Sequence, residues 1–237
     1  LPVKIYTPEG VGPFPSVVFF HGGGWVAGNI ELNGVQHQQL AHDARSVVVA
    51  VNYQKAPEHK FPIPFDDCYA TLEWVAANAH ALHINSDEIG VAGDSAGGNL
   101  AAAVALKARD KNGPKIAFQI LIYPVISFGP LGHEGSRINL IGNAQDEKTK
   151  KAIHYFSNET QVNKNTPPAF LVHSKDDDVV PVANAIFYRD SLEAKGVAAE
   201  LYLYEKGGHG YGMKNPTSSI QWVNIMKSWM QKNKIIN

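Results

Sequence analysis

The sequence predicts an α/β fold with a mostly parallel central sheet flanked by helices on both faces. Three observations carry this reading. Short β-branched and apolar runs recur along the chain, and helical patterns alternate with them. Most of the runs also lack the polar alternation of a strand with one wet face. With 237 residues and 44% hydrophobic side chains, the chain is long enough for one sizeable core and reads as a single domain over 1–237.

The elements follow in order. Val3-Lys4-Ile5-Tyr6 is strand-like, and Val17-Val18-Phe19-Phe20 is a second strand that runs into a cluster of glycines. A helix is expected over 34–45, then a strand at 47–51 made of valines and one alanine. The stretch 65–80 places Cys68, Leu72, Val75 and Ala76 on one helical face. A strand at 89–92 leads into a helix over 96–109, and 118–122 is another apolar strand. After it the rhythm breaks. Residues 127–166 are rich in Gly, Asn and Lys with little apolar periodicity, as in a lid or binding loop, with one helix near 147–156. Strands at 170–173 and 201–204 then bracket a helix over 182–195, and a helix over 218–232 closes the pattern.

Composition excludes several classes. Twenty-one Lys and Arg against 22 Asp and Glu leave a net charge of −1 with no basic block, so there is no electrostatic footprint for nucleic acid. The apolar run around 46–51 is far shorter than the roughly 20 residues of a membrane helix. A single cysteine, Cys68, rules out an internal disulfide or a cysteine-based zinc site within these residues. His133-Glu134 lacks the second histidine of an H-E-x-x-H metal motif, so no metal is expected. Asn158-Glu159-Thr160 is an isolated glycosylation sequon, a pattern too frequent by chance to weigh.

Two glycine motifs carry chemistry. Gly93-Asp94-Ser95-Ala96-Gly97 fits G-x-S-x-G and stands between an expected strand and an expected helix, the context in which a sharp turn exposes the serine. His21-Gly22-Gly23-Gly24-Trp25 follows another strand, where consecutive glycines let backbone N–H groups approach a developing oxyanion. Gly22, Gly24 and Ala27 also fit a dinucleotide fingerprint, but the next strand ends in Ala50-Val51-Asn52-Tyr53 without the carboxylate that reading needs.

A nucleophilic serine needs a base, and the base needs an orienting acid. His209, in Gly207-Gly208-His209-Gly210-Tyr211, follows a strand and has glycines on both sides that leave the ring room. His37, His42, His80, His83 and His154 read as surface residues of helical stretches, while His21, His59, His133 and His173 read as structural. The acid lies among Asp176, Asp177 and Asp178, of which two must be solvated or bonded to backbone; spacing alone does not choose.

These residues resemble those of α/β-hydrolase esterases over essentially the whole chain. His21-Gly-Gly-Gly-Trp25, Ala56-Pro-Glu-His-Lys-Phe-Pro62 and Gly93-Asp-Ser-Ala-Gly-Gly-Asn-Leu100 are similar to the hormone-sensitive-lipase family. Pro124-Val-Ile-Ser127, Gly132-His-Glu-Gly-Ser-Arg137, Thr166-Pro-Pro-Ala-Phe-Leu-Val-His173, Asp176-Asp-Asp-Val-Val-Pro181 and Gly207-Gly-His-Gly210 are closer to an acetyl-xylan-esterase-like branch. The resemblance implies an α/β-hydrolase fold and a Ser95–His209–Asp177 triad, the acid standing four positions before Pro181. It also implies an oxyanion hole of the Gly23, Gly24 and Ala96 N–H groups, and no cofactor. The lipase-like family carries an N-terminal cap, whereas this sequence opens in a strand, so a small or absent cap and a short acyl pocket are expected.

The function that follows is a serine carboxylesterase acting on small-molecule esters of short acyl chains. Deacetylation of an acetylated carbohydrate is the close variant, in which residues 133–137 touch the sugar rather than simply packing on the surface. A non-catalytic small-molecule-binding homologue and a serine peptidase are the other readings. The first would lack a triad residue, and the second needs an extra domain for which 237 residues leave no room. Oligomeric state and compartment are not legible.

Overall fold

The computed structural model describes residues 1–129 and 132–236; Pro130 and Leu131, inside the expected loop excursion, and Asn237 lie outside it. Seven strands form one sheet: β1 (Val3–Tyr6), β2 (Phe14–Phe20), β3 (Val47–Val51), β4 (Ile84–Asp94), β5 (Phe118–Ile122), β6 (Ala169–Ser174) and β7 (Ala199–Tyr204). Their order across the sheet is β1-β3-β2-β4-β5-β6-β7. β1 is antiparallel to β3, and every other neighbouring pair is parallel.

Helices cover both faces. α2 (Ile63–Ala77), α3 (Ala96–Asp110) and α6 (Ala183–Ala194) pack on one side, with Leu72, Leu100 and Leu192 in a core shared with Val18, Val49 and Leu171. α1 (Gly34–Asp43) and α7 (Trp222–Lys232) pack on the other, where Leu40, Trp222 and Met226 meet Val17, Val48 and Phe170. Neighbouring residues of one strand thus enter opposite cores, and this is why the strands read as unbroken apolar runs.

The stretch after β5 departs from expectation. It holds α5 (Glu147–Phe156) where one helix was expected, and also an unforeseen α4 (Glu134–Leu140) and a 3₁₀ turn at Asn158–Thr160. The stretch is docked rather than loose. Phe156 is buried and packs against Phe61, Phe65 and Phe128, with ring centroids 5.2, 5.2 and 5.8 Å away. Asn99 donates to the Phe156 carbonyl at 3.2 Å, and Asn158 donates to the Asn99 carbonyl at 3.1 Å. Several other bounds moved. β4 begins at Ile84, paired with Phe14, and α7 begins at Trp222.

Candidate active site

The carboxyl ends of the parallel strands are where crevices open in such sheets. β2 runs out there into His21–Trp25, β4 into Ser95, β6 into Asp177 and β7 into His209. Ser95 stands alone between β4 and α3 with φ 52° and ψ −117°, a left-handed conformation that a non-glycine residue adopts only under local constraint. Its N–H donates to the Ile122 carbonyl at 2.9 Å, and its own carbonyl accepts from Gly98 and Val125 at 3.0 Å each. Close approach makes the turn possible: a Cβ on Gly97 would lie 1.9 Å from the Phe20 carbonyl oxygen.

Ser95 Oγ lies 2.9 Å from His209 Nε2, and His209 Nδ1 lies 2.7 Å from Asp177 Oδ2. The three aspartates differ in their surroundings. Asp176 and Asp178 are exposed, and Asp176 accepts from the Gly208 N–H at 2.9 Å. The Asp177 carboxylate is fully buried, and its Oδ1 accepts from the N–H groups of Val179 and Val180 at 3.0 and 2.8 Å. Burial pushes this carboxyl up, but hydrogen bonds from His173, His209 and the Val180 N–H outweigh it and hold the group well below the usual carboxylate range. It is therefore an anion wherever the protein is folded near neutral pH, and it fixes His209 with its proton on Nδ1 and its lone pair toward the serine.

The triple glycine lies beside the serine. The Gly22 N–H donates to Asp94 Oδ1 at 2.9 Å, whereas among the described residues the Gly23 and Gly24 N–H groups have no partner, and both residues line the cleft. Gly23 has φ +113°, and a Cβ there would lie 2.3 Å from the Ala27 carbonyl oxygen, so only glycine fits. The Ala96 N–H is the first of α3, where no helical carbonyl lies four residues back. The cleft has a volume of about 280 Å³, and Tyr123, His133, Ser136, Val179 and Val180 line it alongside Ser95 and His209.

Sequence reading missed several residues here. Asp94, inside the serine motif, anchors the glycine loop, and burial pushes its carboxyl up to about 6. Tyr123, one residue past β5, has its ring 4.8 Å from that of His209 and accepts from the Gly212 N–H at 3.0 Å. His173 is buried beneath Asp177, Nε2 to Oδ2 3.1 Å. The stretch 133–137 divides: His133 and Ser136 line the cleft, while Arg137 pairs with Glu134 and the Gly142 carbonyl. His37, read as a surface residue, is buried against Phe19 with ring centroids 4.6 Å apart.

A family model of the alpha/beta hydrolase fold matches residues 17–213. The chain belongs to the α/β-hydrolase family. This α/β-hydrolase is 45% identical over 229 residues to the carboxylesterase NlhH of Mycobacterium tuberculosis, spanning 89% of this chain and 71% of that protein. It is 34% identical over 214 residues to the esterase LipI of the same bacterium, spanning 83% and 65%. Its fold superposes with a TM-score of 0.87 on an acetyl ester-xyloside bifunctional hydrolase from Caldicellulosiruptor lactoaceticus, at 28% identity over 99% of this chain and 89% of that one. Among the described residues no helix of this α/β-hydrolase is long and apolar enough to cross a membrane.

Proposed function

We propose that this α/β-hydrolase cleaves carboxylic esters of short acyl groups through a covalent acyl-enzyme, with Ser95 as nucleophile. The observation that carries the reading is the line from Ser95 Oγ through His209 to the buried Asp177, at 2.9 and 2.7 Å. His209 takes the Ser95 proton as Oγ attacks the ester carbonyl, and Asp177 stabilises the imidazolium that forms. The Gly23, Gly24 and Ala96 N–H groups face the oxyanion of the tetrahedral intermediate. His209 then gives its proton to the departing alcohol. A water molecule, deprotonated by the same ring, cleaves the acyl-enzyme and releases the carboxylic acid.

The acyl length follows from the space. A cleft of about 280 Å³ falls just below the roughly 300–1,000 Å³ of typical ligand pockets. Each buried methylene adds about 0.8 kcal/mol only while the pocket continues. A kcat/KM series on p-nitrophenyl esters from acetate to palmitate tests this. The expected maximum is at about two to six acyl carbons with a marked fall by about twelve. A maximum among the long-chain esters would contradict it. A second reading, deacetylation of a carbohydrate, is favoured by the likeness in fold to the acetyl ester-xyloside hydrolase, and acetylated xylan belongs in the same series.

A further inference from the structure

We propose that His133 determines specificity for the alcohol half of the substrate, by donating a hydrogen bond from Nε2 to an oxygen beyond the scissile ester. The substrate class that fits is the acetate of an oxygen-rich alcohol such as a pyranoside. The inference rests on the ester-hydrolase reading above.

The first step is the tautomer. His133 Nδ1 lies 3.2 Å from the Ser136 backbone nitrogen, which can only donate, so Nδ1 accepts. The Ser136 hydroxyl lies 2.7 Å from the same atom. With Nδ1 occupied as an acceptor, the ring proton sits on Nε2. Among the described residues Nε2 has no hydrogen-bond partner, and it is not shut away from solvent. His133 and Ser136 share the cleft lining with Ser95 and His209, so the group that carries this unspent donor belongs to the substrate chamber.

The second step is rigidity. Asn139, on the same short helix, donates to the Gly24 carbonyl at 3.1 Å. The Leu140 carbonyl accepts from the Phe61 N–H at 3.0 Å, and the Leu140 side chain is buried. The helix that His133 caps is therefore tied directly to the glycine loop beside Ser95. A donor held this way stays at a fixed offset from the reacting carbonyl, as discrimination requires.

The third step assigns the side of the substrate. A two- to six-carbon acyl group has no further oxygen to offer. An acceptor for Nε2–H must then come from the alcohol, and a sugar presents ring and hydroxyl oxygens on every carbon. A donor left unpaired against a purely hydrocarbon alcohol lowers its relative affinity, and this is the origin of discrimination at polar sites.

The test is the ratio of kcat/KM for a monoacetylated methyl xylopyranoside to that for cyclohexyl acetate, in which intrinsic differences between the two esters cancel on comparing variants. His133→Asn keeps a side-chain acceptor for the Ser136 N–H, while its own amide donor, on a shorter side chain, is drawn back from the cleft. It is expected to lower the ratio about tenfold. His133→Gln supplies both an acceptor and a longer-reaching donor, and is expected to restore the ratio to within about threefold of wild type. An unchanged ratio in His133→Asn, both substrates losing alike, overturns the assignment while leaving the esterase reading standing. Wild-type protein that hydrolyses neither acetate overturns both.

Discussion

His173 Nε2 and Asp177 Oδ2 lie 3.1 Å apart with both side chains completely buried, so one carboxylate oxygen stands between two imidazoles. His173 Nε2 is also 2.9 Å from the Val180 carbonyl, which can only accept, so this nitrogen carries a proton shared between Val180 and Asp177. Asp177 is thus steered from beneath by His173, along its other oxygen by two backbone N–H groups, and from the cleft side by His209.

Asparagine substitutions rank these aspartates. Asp177→Asn is expected to lower kcat by about 10²–10⁴-fold through the wrong His209 tautomer. Asp176→Asn retains an acceptor for the Gly208 N–H, and Asp178 is exposed, so each is expected to change kcat less than about threefold. His173→Phe removes one of several bonds to Asp177 and is expected to fall between, at about 5–30-fold. Steady-state kinetics on p-nitrophenyl acetate checks the order. A severe effect at Asp176 or Asp178 would place the acid elsewhere.

In the proposed triad, the acid was the part that sequence could not reach unaided. Three adjacent aspartates follow β6, and only the resemblance, anchored on Pro181, singled out the middle one. Ser95 was legible because its strand, glycines and helix stand together in the sequence. The inner strands β3, β5 and β6 were legible because they are covered on both faces. Helix α4 was not, since only Ser136 and Leu140 of its seven residues are buried and the rest are exposed or half-buried. The start of β4 was hidden by polar residues at 85–88. His37 left a signal that was overlooked: with Leu40, Ala41 and Ala44 it forms the 3.6-period stripe that α1 turns inward.

Burial of His37 is expected to make the fold sensitive to acid. Both of its ring nitrogens are buried without a partner among the described residues, and burial pushes it from its ordinary 6.5 to about 4. Its folded-state value is depressed, so the stability associated with the neutral ring is complete above about pH 6.5 and is lost as pH falls through 4. The loss is on the order of 3 kcal/mol for a full shift of this size. Burial depresses His21 in the same way and to the same value. His37→Leu is expected to flatten the fall in Tm between pH 6.5 and 4 relative to wild type, read by calorimetry at stepped pH. Parallel Tm curves would show that His37 does not titrate there.

Asp94 acts in the opposite sense. Burial raises its carboxyl from 3.8 to about 6, partly offset by the Gly22 N–H. A raised acid favours the folded state fully below about pH 3.8 and loses that contribution as pH rises through 6. Asp94→Asn keeps an acceptor for Gly22 and removes the titration, so its Tm relative to wild type should be higher at pH 8 than at pH 4. Asp94→Leu also releases the glycine loop, and kcat should fall about tenfold or more below that of Asp94→Asn. A Tm difference for Asp94→Asn that does not vary with pH would refute the raised, buried carboxyl.

Covalent labelling with an alkyl fluorophosphonate, followed by peptide mapping and titration of residual p-nitrophenyl acetate hydrolysis, tests Ser95 as the nucleophile most directly. The expected result is one equivalent of phosphonyl group on Ser95 Oγ, activity lost in proportion, and no label on Ser95→Ala. That variant should retain kcat lower by about 10⁴–10⁶-fold. Stoichiometric inactivating label on any other residue, or wild-type turnover by Ser95→Ala, would contradict Ser95 as the nucleophile.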